Sequence, residues 1–160
     1  MTDSAPTPAT APAPEIAPSV IPVSIPELSD PKRPFYWGTG RRKTAVARVR
    51  IRPGSGKFQI NKRELADFFK LESNRGVVQH PLALTETVKT VDVFVNVAGG
   101  GITGQAGAVA LGVARALLRA NPQFESKLRA ANLLTRDARK VERKKCGQSG
   151  ARKRFQYSKR

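Results

Sequence analysis

The sequence predicts one small domain of the α/β or α+β class, set between a proline-rich arm and a basic tail. Three observations predict it. A stretch of strand periodicity, a β-branched run and a stripe of helical periodicity follow one another in the middle of the chain. That core-forming region contains residues 64–132, which are near neutral with seven bases and six acids, whereas its neighbours are not. Residues 32–63 hold eleven bases and no acid, and residues 133–160 hold eleven bases and two acids. About 100 residues of mixed strand and helix are enough for a single core. No internal repeat is visible.

Residues 1–34 form the arm. They contain nine of the twelve prolines, and residues 1–30 carry four acids and no base. Proline cannot donate to a backbone ladder, and too few large apolar groups are present to offset the entropy of ordering, so the arm is expected to be disordered and semi-extended. Order is expected from Phe35, with residues 35–146 as the globular part. Ala45, Ala47, Val49 and Ile51 alternate with Val46, Arg48, Arg50 and Arg52, the period-two signature of a half-buried strand. Pro53-Gly54-Ser55-Gly56 reads as a turn and Lys57 to Ile60 as the returning strand of a hairpin. Asn61 followed by Glu64 reads as a capping box, opening a helix that buries Leu65, Phe68 and Phe69. Pro81 is expected to start a second short helix. Val91 to Val97 is a core strand by its β-branched content. After a glycine-rich turn, Ala106, Val109, Ala110, Val113 and Leu117 form one apolar helical stripe. Asn121-Pro122 ends that helix and caps the next, which carries Phe124 and Leu128.

Composition narrows the function. Lys and Arg total 29 against 12 acids, a net charge of +17. A small domain needs a net charge of only about 2 to 8 for solubility, so such an excess points to a polyanionic partner, nucleic acid above all. Cys146 is the only cysteine and His80 the only histidine. A disulfide within the chain, a cysteine-based zinc site and most Ser-His or Cys-His chemistry are thereby excluded. No apolar run reaches the roughly 18 residues of a membrane span. The acidic arm is unlike an organelle transit peptide or a secretion signal, so a cytoplasmic location is expected. Cys146 is expected to pack as a small hydrophobe against the neighbouring helix.

Gly99-Gly100-Gly101-Ile102-Thr103-Gly104 fits GxGxxG between a strand and a helix, the context of dinucleotide binding. The acid expected about 20 residues later is missing, because Glu125 falls inside a helical pattern, and too little chain remains for a doubly wound sheet. The Lys-Ser/Thr pair of a P-loop is missing as well. A tight turn, with Gly104, Gly107 and Gly112 packed closely on a strand, accounts for the pattern. The N–H groups at this helix start, around Gly101 and Gln105, are also placed to hold an RNA phosphate. No cofactor is expected.

The two basic blocks carry the functional reading. Arg41, Arg42 and Lys43 precede the first strand, and Arg48, Arg50 and Arg52 line one of its faces, an arrangement suited to a phosphate backbone. In the second block Arg136, Arg139, Lys140 and Arg143 are spaced i, i+3, i+4 and i+7, opposite Leu134, Ala138 and Val141, as on a helix. Asp137 and Glu142 would pair locally there. Lys144 and Lys145 extend the block. Residues 147–160 lose apolar periodicity and form an extended tail whose bases act outside the domain. Arg152, Lys153 and Arg154 suit phosphates, Phe155 and Tyr157 suit stacking, and fourteen extended residues reach about 45 to 50 Å.

GTGRRKTAVARVRI, Pro81-Leu82, VAGGGITGQAGAVALGVARAL, LLTRDARKVERKK and the terminal QYSKR occur in collinear order from Trp37 to Arg160. Together they resemble the ribosomal protein S-nine family of the small subunit, in its bacterial or plastid form; the arm departs from the family's usual short start. The resemblance implies an α+β fold with a mixed sheet packed on helices and a left-handed β-α-β crossover. It implies a place in the head of the small subunit, bound to ribosomal RNA and neighbouring proteins. It also implies that Ser158, Lys159 and Arg160 approach the anticodon arm of peptidyl-site tRNA, and that no enzymatic activity is present. Two other readings remain beside it: a free nucleic-acid-binding module, and an enzyme related to small-molecule kinases of similar architecture, for which only Glu86 and Asp92 precede the glycine turn.

Overall fold

A computed structural model describes residues 35–158; the proline-rich arm and the last two residues of the tail lie outside the described residues. The chain runs β1 (Tyr36–Arg42), β2 (Ala45–Pro53), β3 (Phe58–Ile60), β4 (Arg63–Glu64), α1 (Leu65–Phe68), α2 (Glu72–Leu84), β5 (Val91–Ala98) and α3 (Ile102–Ala120). A 3₁₀ turn (Pro122–Phe124) and α4 (Glu125–Ala130) follow. The five strands form one mixed sheet in the order β1-β2-β5-β3-β4, giving an α+β domain.

The strand over residues 45–53 behaves as its alternation predicts: Ala45, Ala47, Val49 and Ile51 are fully buried. They face α3, whose Val109, Val113 and Leu117 are buried against them in a core shared with Val93, Phe69, Val78, Phe124 and Leu128. The apolar stripe on α3 is therefore the packing face. Asn121 caps the next turn as expected, its Oδ1 accepting from the Gln123 N–H at 3.0 Å.

Several local expectations are corrected. Residues 57–60 do not return along β2 as a hairpin. β5 lies between them, antiparallel to β2 and parallel to β3, because an eight-residue β-branched strand gains more from pairing along both edges than a three-residue strand does. The link from β3 through α1 and α2 to β5 is thus a β-α-β crossover. Asn61 is not a helix cap. It and Lys62 take left-handed φ of 46° and 67° in the β3–β4 turn. The Asn61 side chain instead donates to the Val97 carbonyl at 2.9 Å and accepts from the Val97 N–H at 3.0 Å. Pro81 lies inside α2 and does not begin it.

A strand escaped the sequence reading. β1 pairs with β2 in full register, so Arg41 and Arg42 end a strand and Lys43 occupies the hairpin turn with φ 52°. Its glycines are spacing devices. A Cβ at Gly40 would stand 1.9 Å from the Ala108 carbonyl oxygen, and one at Gly38 would stand 2.1 Å from that of Gly112. Only glycine lets α3 lie this close to β1.

Beyond α4 the described residues, through Ser158, form no helix or strand. The helix predicted over residues 134–143 does not form. Leu133 and Leu134 pack partly against the core, but Val141 is 93% exposed, so the apolar side has no surface to cover. A short isolated helix is marginal, and like charges at i, i+3 and i+4 weaken it further. Cys146 is exposed, against the expectation of packing.

Candidate nucleic-acid interface

The sheet has one face under α3 and one without a helix among the described residues. Strand alternation puts Gly38 and Gly40 beneath α3 and leaves Trp37, Thr39 and Arg41 on the open face. The register sets Arg48 beside Thr39 and Asn96, and Arg50 beside Trp37 and Phe94. Arg48, Arg50 and Arg52 therefore share one surface, as their spacing predicts. Arg50 lies over two rings, 5.2 Å from the centre of Phe35 and 5.5 Å from that of Phe94. Cation–π contact of this kind fixes the guanidinium while leaving its N–H edge free for phosphate.

Arg52 differs from its two neighbours. It is 5.3 Å from the Phe94 ring centre and bonds the Asp92 carboxylate at 3.4 Å. Asp92 is buried and also accepts from the N–H groups of Ser55 at 2.9 Å and Lys57 at 3.0 Å. Burial raises its pKa, but the Lys57 and Ser55 N–H groups and Arg52 together outweigh burial and hold it below the ordinary carboxylate value. Asp92 thus closes the 54–57 turn, and Gly54 is required there because a Cβ would stand 2.1 Å from its carboxyl carbon. This turn role uses the acid that precedes the glycine segment.

The second corner of the interface gathers three elements. Arg42, at the end of β1, donates to the Thr103 carbonyl at the start of α3 at 3.4 Å and pairs with Asp137 at 3.4 Å. Gly107 lies under the Arg42 side chain, where a Cβ would stand 2.5 Å from its Cδ. Asp137 accepts from both the side chain and the backbone N–H of Arg139. Those two bonds hold its carboxyl well below the usual range, and Arg42 adds to them. Arg42, Lys43, Arg139 and Lys140 consequently line one depression of about 340 Å³. The two basic blocks, separate in sequence, meet here.

The glycine segment is a turn. Gly99 and Gly100 have φ of 74° and 68°, and a Cβ on Gly100 would press on Ala45 at 3.0 Å. Gly112 packs closely on β2 as predicted, with a Cβ only 2.6 Å from Val49 Cγ2, whereas Gly104 has no neighbour nearer than 3.8 Å. Gly101 caps α3 without a side-chain bond, and Gln105 donates from Nε2 to the Gly99 carbonyl at 3.1 Å. A sheet with one parallel pair is not doubly wound, so the dinucleotide reading has no scaffold here.

Farther along, Arg136, Arg143, Lys144, Lys145, Arg152, Lys153 and Arg154 are all exposed. Glu142 pairs with Lys145 at 3.3 Å and with Arg152 at 2.9 Å, which draws the start of the tail back toward the block. Ser158 is exposed, and Lys159 and Arg160 lie outside the described residues.

Sequence reasoning missed three features. Trp37, Phe35 and Phe94 belong to the arginine face, but only the strand register reveals it. Arg115 and Arg119 on α3 donate to the Thr39 and Trp37 carbonyls at 2.9 and 2.7 Å, blunting the edge strand. Lys57, Lys62 and Arg75 line a groove of about 600 Å³ beside β3 and β4. None of these has a signal in local periodicity, since each depends on pairing across the fold.

Among the described residues no helix is long and apolar enough to cross a membrane, and no acid, histidine or cysteine cluster could hold a metal. What the fold displays is strand-borne arginines, a shared basic corner and an extended basic end. The family model described as Ribosomal protein S9/S16 matches residues 40–160, which takes in that whole display. The chain belongs to the ribosomal protein S9/S16 family.

Proposed function

We propose that this protein binds ribosomal RNA in the head of the small subunit and reaches peptidyl-site tRNA with its tail. A structural role in the small ribosomal subunit holds at the level of the family, with ribosomal RNA and ribosomal proteins as partners. The finer reading rests above all on the meeting of the two basic blocks at Arg42 and Asp137. One basic surface lies on the open face of the sheet, through Arg41, Arg48 and Arg50. Another runs from that corner along residues 133–146, the strap that follows α4, through Arg136, Arg139, Lys140, Arg143, Lys144 and Lys145. Both neutralise phosphates, and the first N–H groups of α3, between Gly101 and Gln105, add backbone donors. Within residues 35–146 these groups anchor the protein. Residues 147–160 act as a separate arm, in which Arg152, Lys153 and Arg154 contact RNA and Ser158, Lys159 and Arg160 contact the anticodon arm.

The test is a chain ending at Tyr157, assembled into small subunits. The truncated protein stays with the subunit through a high-salt wash, while retention of peptidyl-site tRNA weakens. Normal tRNA retention would remove the tail's role. Loss of the intact protein into the free fraction on washing would point instead to a non-specific nucleic-acid binder, whose affinity collapses with salt.

A further inference from the structure

The open face of the sheet carries flat aromatic surface as well as charge. Trp37, Arg50, Phe94 and Gln59 form one row across four strands, set by the pairs Trp37–Arg50, Arg50–Phe94 and Phe94–Gln59. Adjacent strands are about 4.8 Å apart, so the row is about 14 Å long, the span of two or three nucleotides. The next row holds Thr39, Arg48 and Asn96. Phe35 meets Phe94 edge to face at 6.1 Å, and the two rings together seat Arg50. Trp37 stands beside this cluster, 51% exposed, on the side of β1 turned away from α3.

Each part of this surface favours single-stranded nucleic acid over a duplex. A duplex offers phosphates but keeps its base faces stacked, so it leaves an indole uncovered. An unpaired base covers the indole and places its flanking phosphates within reach of neighbouring cations. Two acids lie on this face: Asp92 is already engaged by Arg52, Ser55 and Lys57, and Glu64, opposite Gln59 on β4, closes the row at the end farthest from Trp37. Asn96 and Gln59 add amide donors and acceptors to the same face.

We infer that the open sheet face binds an unpaired RNA nucleotide, its base stacked on Trp37 and its phosphates held by Arg48 and Arg50. This rests on the RNA-binding reading above and adds the class of RNA: a looped-out or single-stranded segment, read by stacking.

Trp37 is the chain's only tryptophan, so its emission reports this surface alone. The full chain is titrated at constant salt with a ten-nucleotide single-stranded oligoadenylate and with a duplex of equal length, binding being followed by the anisotropy of labelled RNA. Saturation with the single strand quenches the tryptophan; saturation with the duplex leaves emission nearly unchanged. Trp37→Ala weakens single-strand binding about tenfold, the loss typical of one stacked base, and leaves duplex binding unaltered. Trp37→Phe, which keeps a stacking ring, retains most of the single-strand affinity and guards against a folding artefact. Unchanged emission at single-strand saturation, or equal weakening of single-strand and duplex binding by Trp37→Ala, would overturn the inference while leaving general RNA binding intact. Loss of Trp37→Ala from small subunits with unaltered single-strand affinity would also overturn it, by assigning the face to a protein neighbour. Failure of the natural chain to bind either RNA would sink the underlying RNA reading itself.

Discussion

On β2 the arginines at 48 and 50 stand on a strand paired along both edges, and Arg50 is seated on two aromatic rings. From Arg136 to Arg154 the cations stand on a chain with no ladder, steadied by exposed pairs such as Arg139–Asp137 and Arg152–Glu142. The two regions carry the same charge at very different conformational cost. Ordering a long cationic side chain and its backbone on a ligand costs about 1 to 2 kcal/mol each in an unstructured segment; on β2 the backbone share is already met by the fold. Exposed ion pairs, screened by solvent, do little to replace it. The sheet thus offers fixed geometry, and the strap offers reach.

The largest expected effect tests the scaffold under the sheet face. Gly40→Ala forces a Cβ into the Ala108 carbonyl and should cost about 3 kcal/mol or more, seen as a large drop in the thermal midpoint. RNA affinity of that variant should fall to what the strap alone supplies. Gly76→Ala is the matched control: the site lies inside α2 with no neighbour within 4 Å, and alanine there should stabilise by about 0.5 to 1 kcal/mol. An unharmed Gly40→Ala protein would mean that α3 does not bear on β1 as described.

Next comes Asp92→Ala, which leaves the Ser55 and Lys57 N–H groups without their acceptor and should cost about 2 to 3 kcal/mol at neutral pH by denaturant unfolding. The folded carboxyl titrates below the unfolded one, so its contribution is full above about pH 4 and is lost as pH falls through the folded value. The variant should therefore show a flatter acid limb than the natural chain. The same limb in both proteins would show that Asp92 is not held in its charged form.

Removing equal charge from each region compares the two directly. Arg48→Gln with Arg50→Gln, and separately Arg136→Gln with Lys140→Gln, should each reduce the slope of log K against log salt by about 1.4 to 1.8. At any fixed salt concentration the sheet pair should lose more affinity, because groups on an ordered backbone bind at a smaller ordering cost. Equal losses would erase the distinction between the two regions. The smallest effect is expected from Asp137→Asn, which loosens Arg42 and Arg139 from their shared acid. Amide exchange should quicken in residues 135–141, with RNA binding slightly tighter for the loss of one negative charge.

The parts legible in the sequence were those governed by local periodicity. The buried side of β2, the β-branched β5, the stripe on α3 and the Asn121 cap all have their signal within a few residues. The misses share one physical cause: distant partners overrode local preference. β1 carries no apolar alternation to read, because Gly38 and Gly40 stand where it would, and those glycines admit α3. Asn61 suits a cap, but the Val97 backbone offers its amide two bonds. The strap has helical spacing without a surface to bury its apolar side, and there the missing packing decided. For the interface, the arginines of both blocks were visible in the sequence. Their convergence on Asp137 was not, nor was the aromatic row beside Arg50.

The insertion of β5 between β2 and β3 bears on the order in which the molecule can fold. The β1–β2 hairpin closes across the two-residue connection between Arg42 and Ala45, an event of microseconds. The β2–β5 ladder begins at Pro53 with Val91 and waits for the whole crossover to be made. Closing such a long loop before its contacts reward it slows folding. During synthesis the hairpin emerges with one edge of β2 bare and its alanine and valine face uncovered until β5 and α3 leave the ribosome. The nascent chain is at its most aggregation-prone in that interval, and the arginines already displayed on the hairpin supply the charge that discourages edge-to-edge pairing while it lasts.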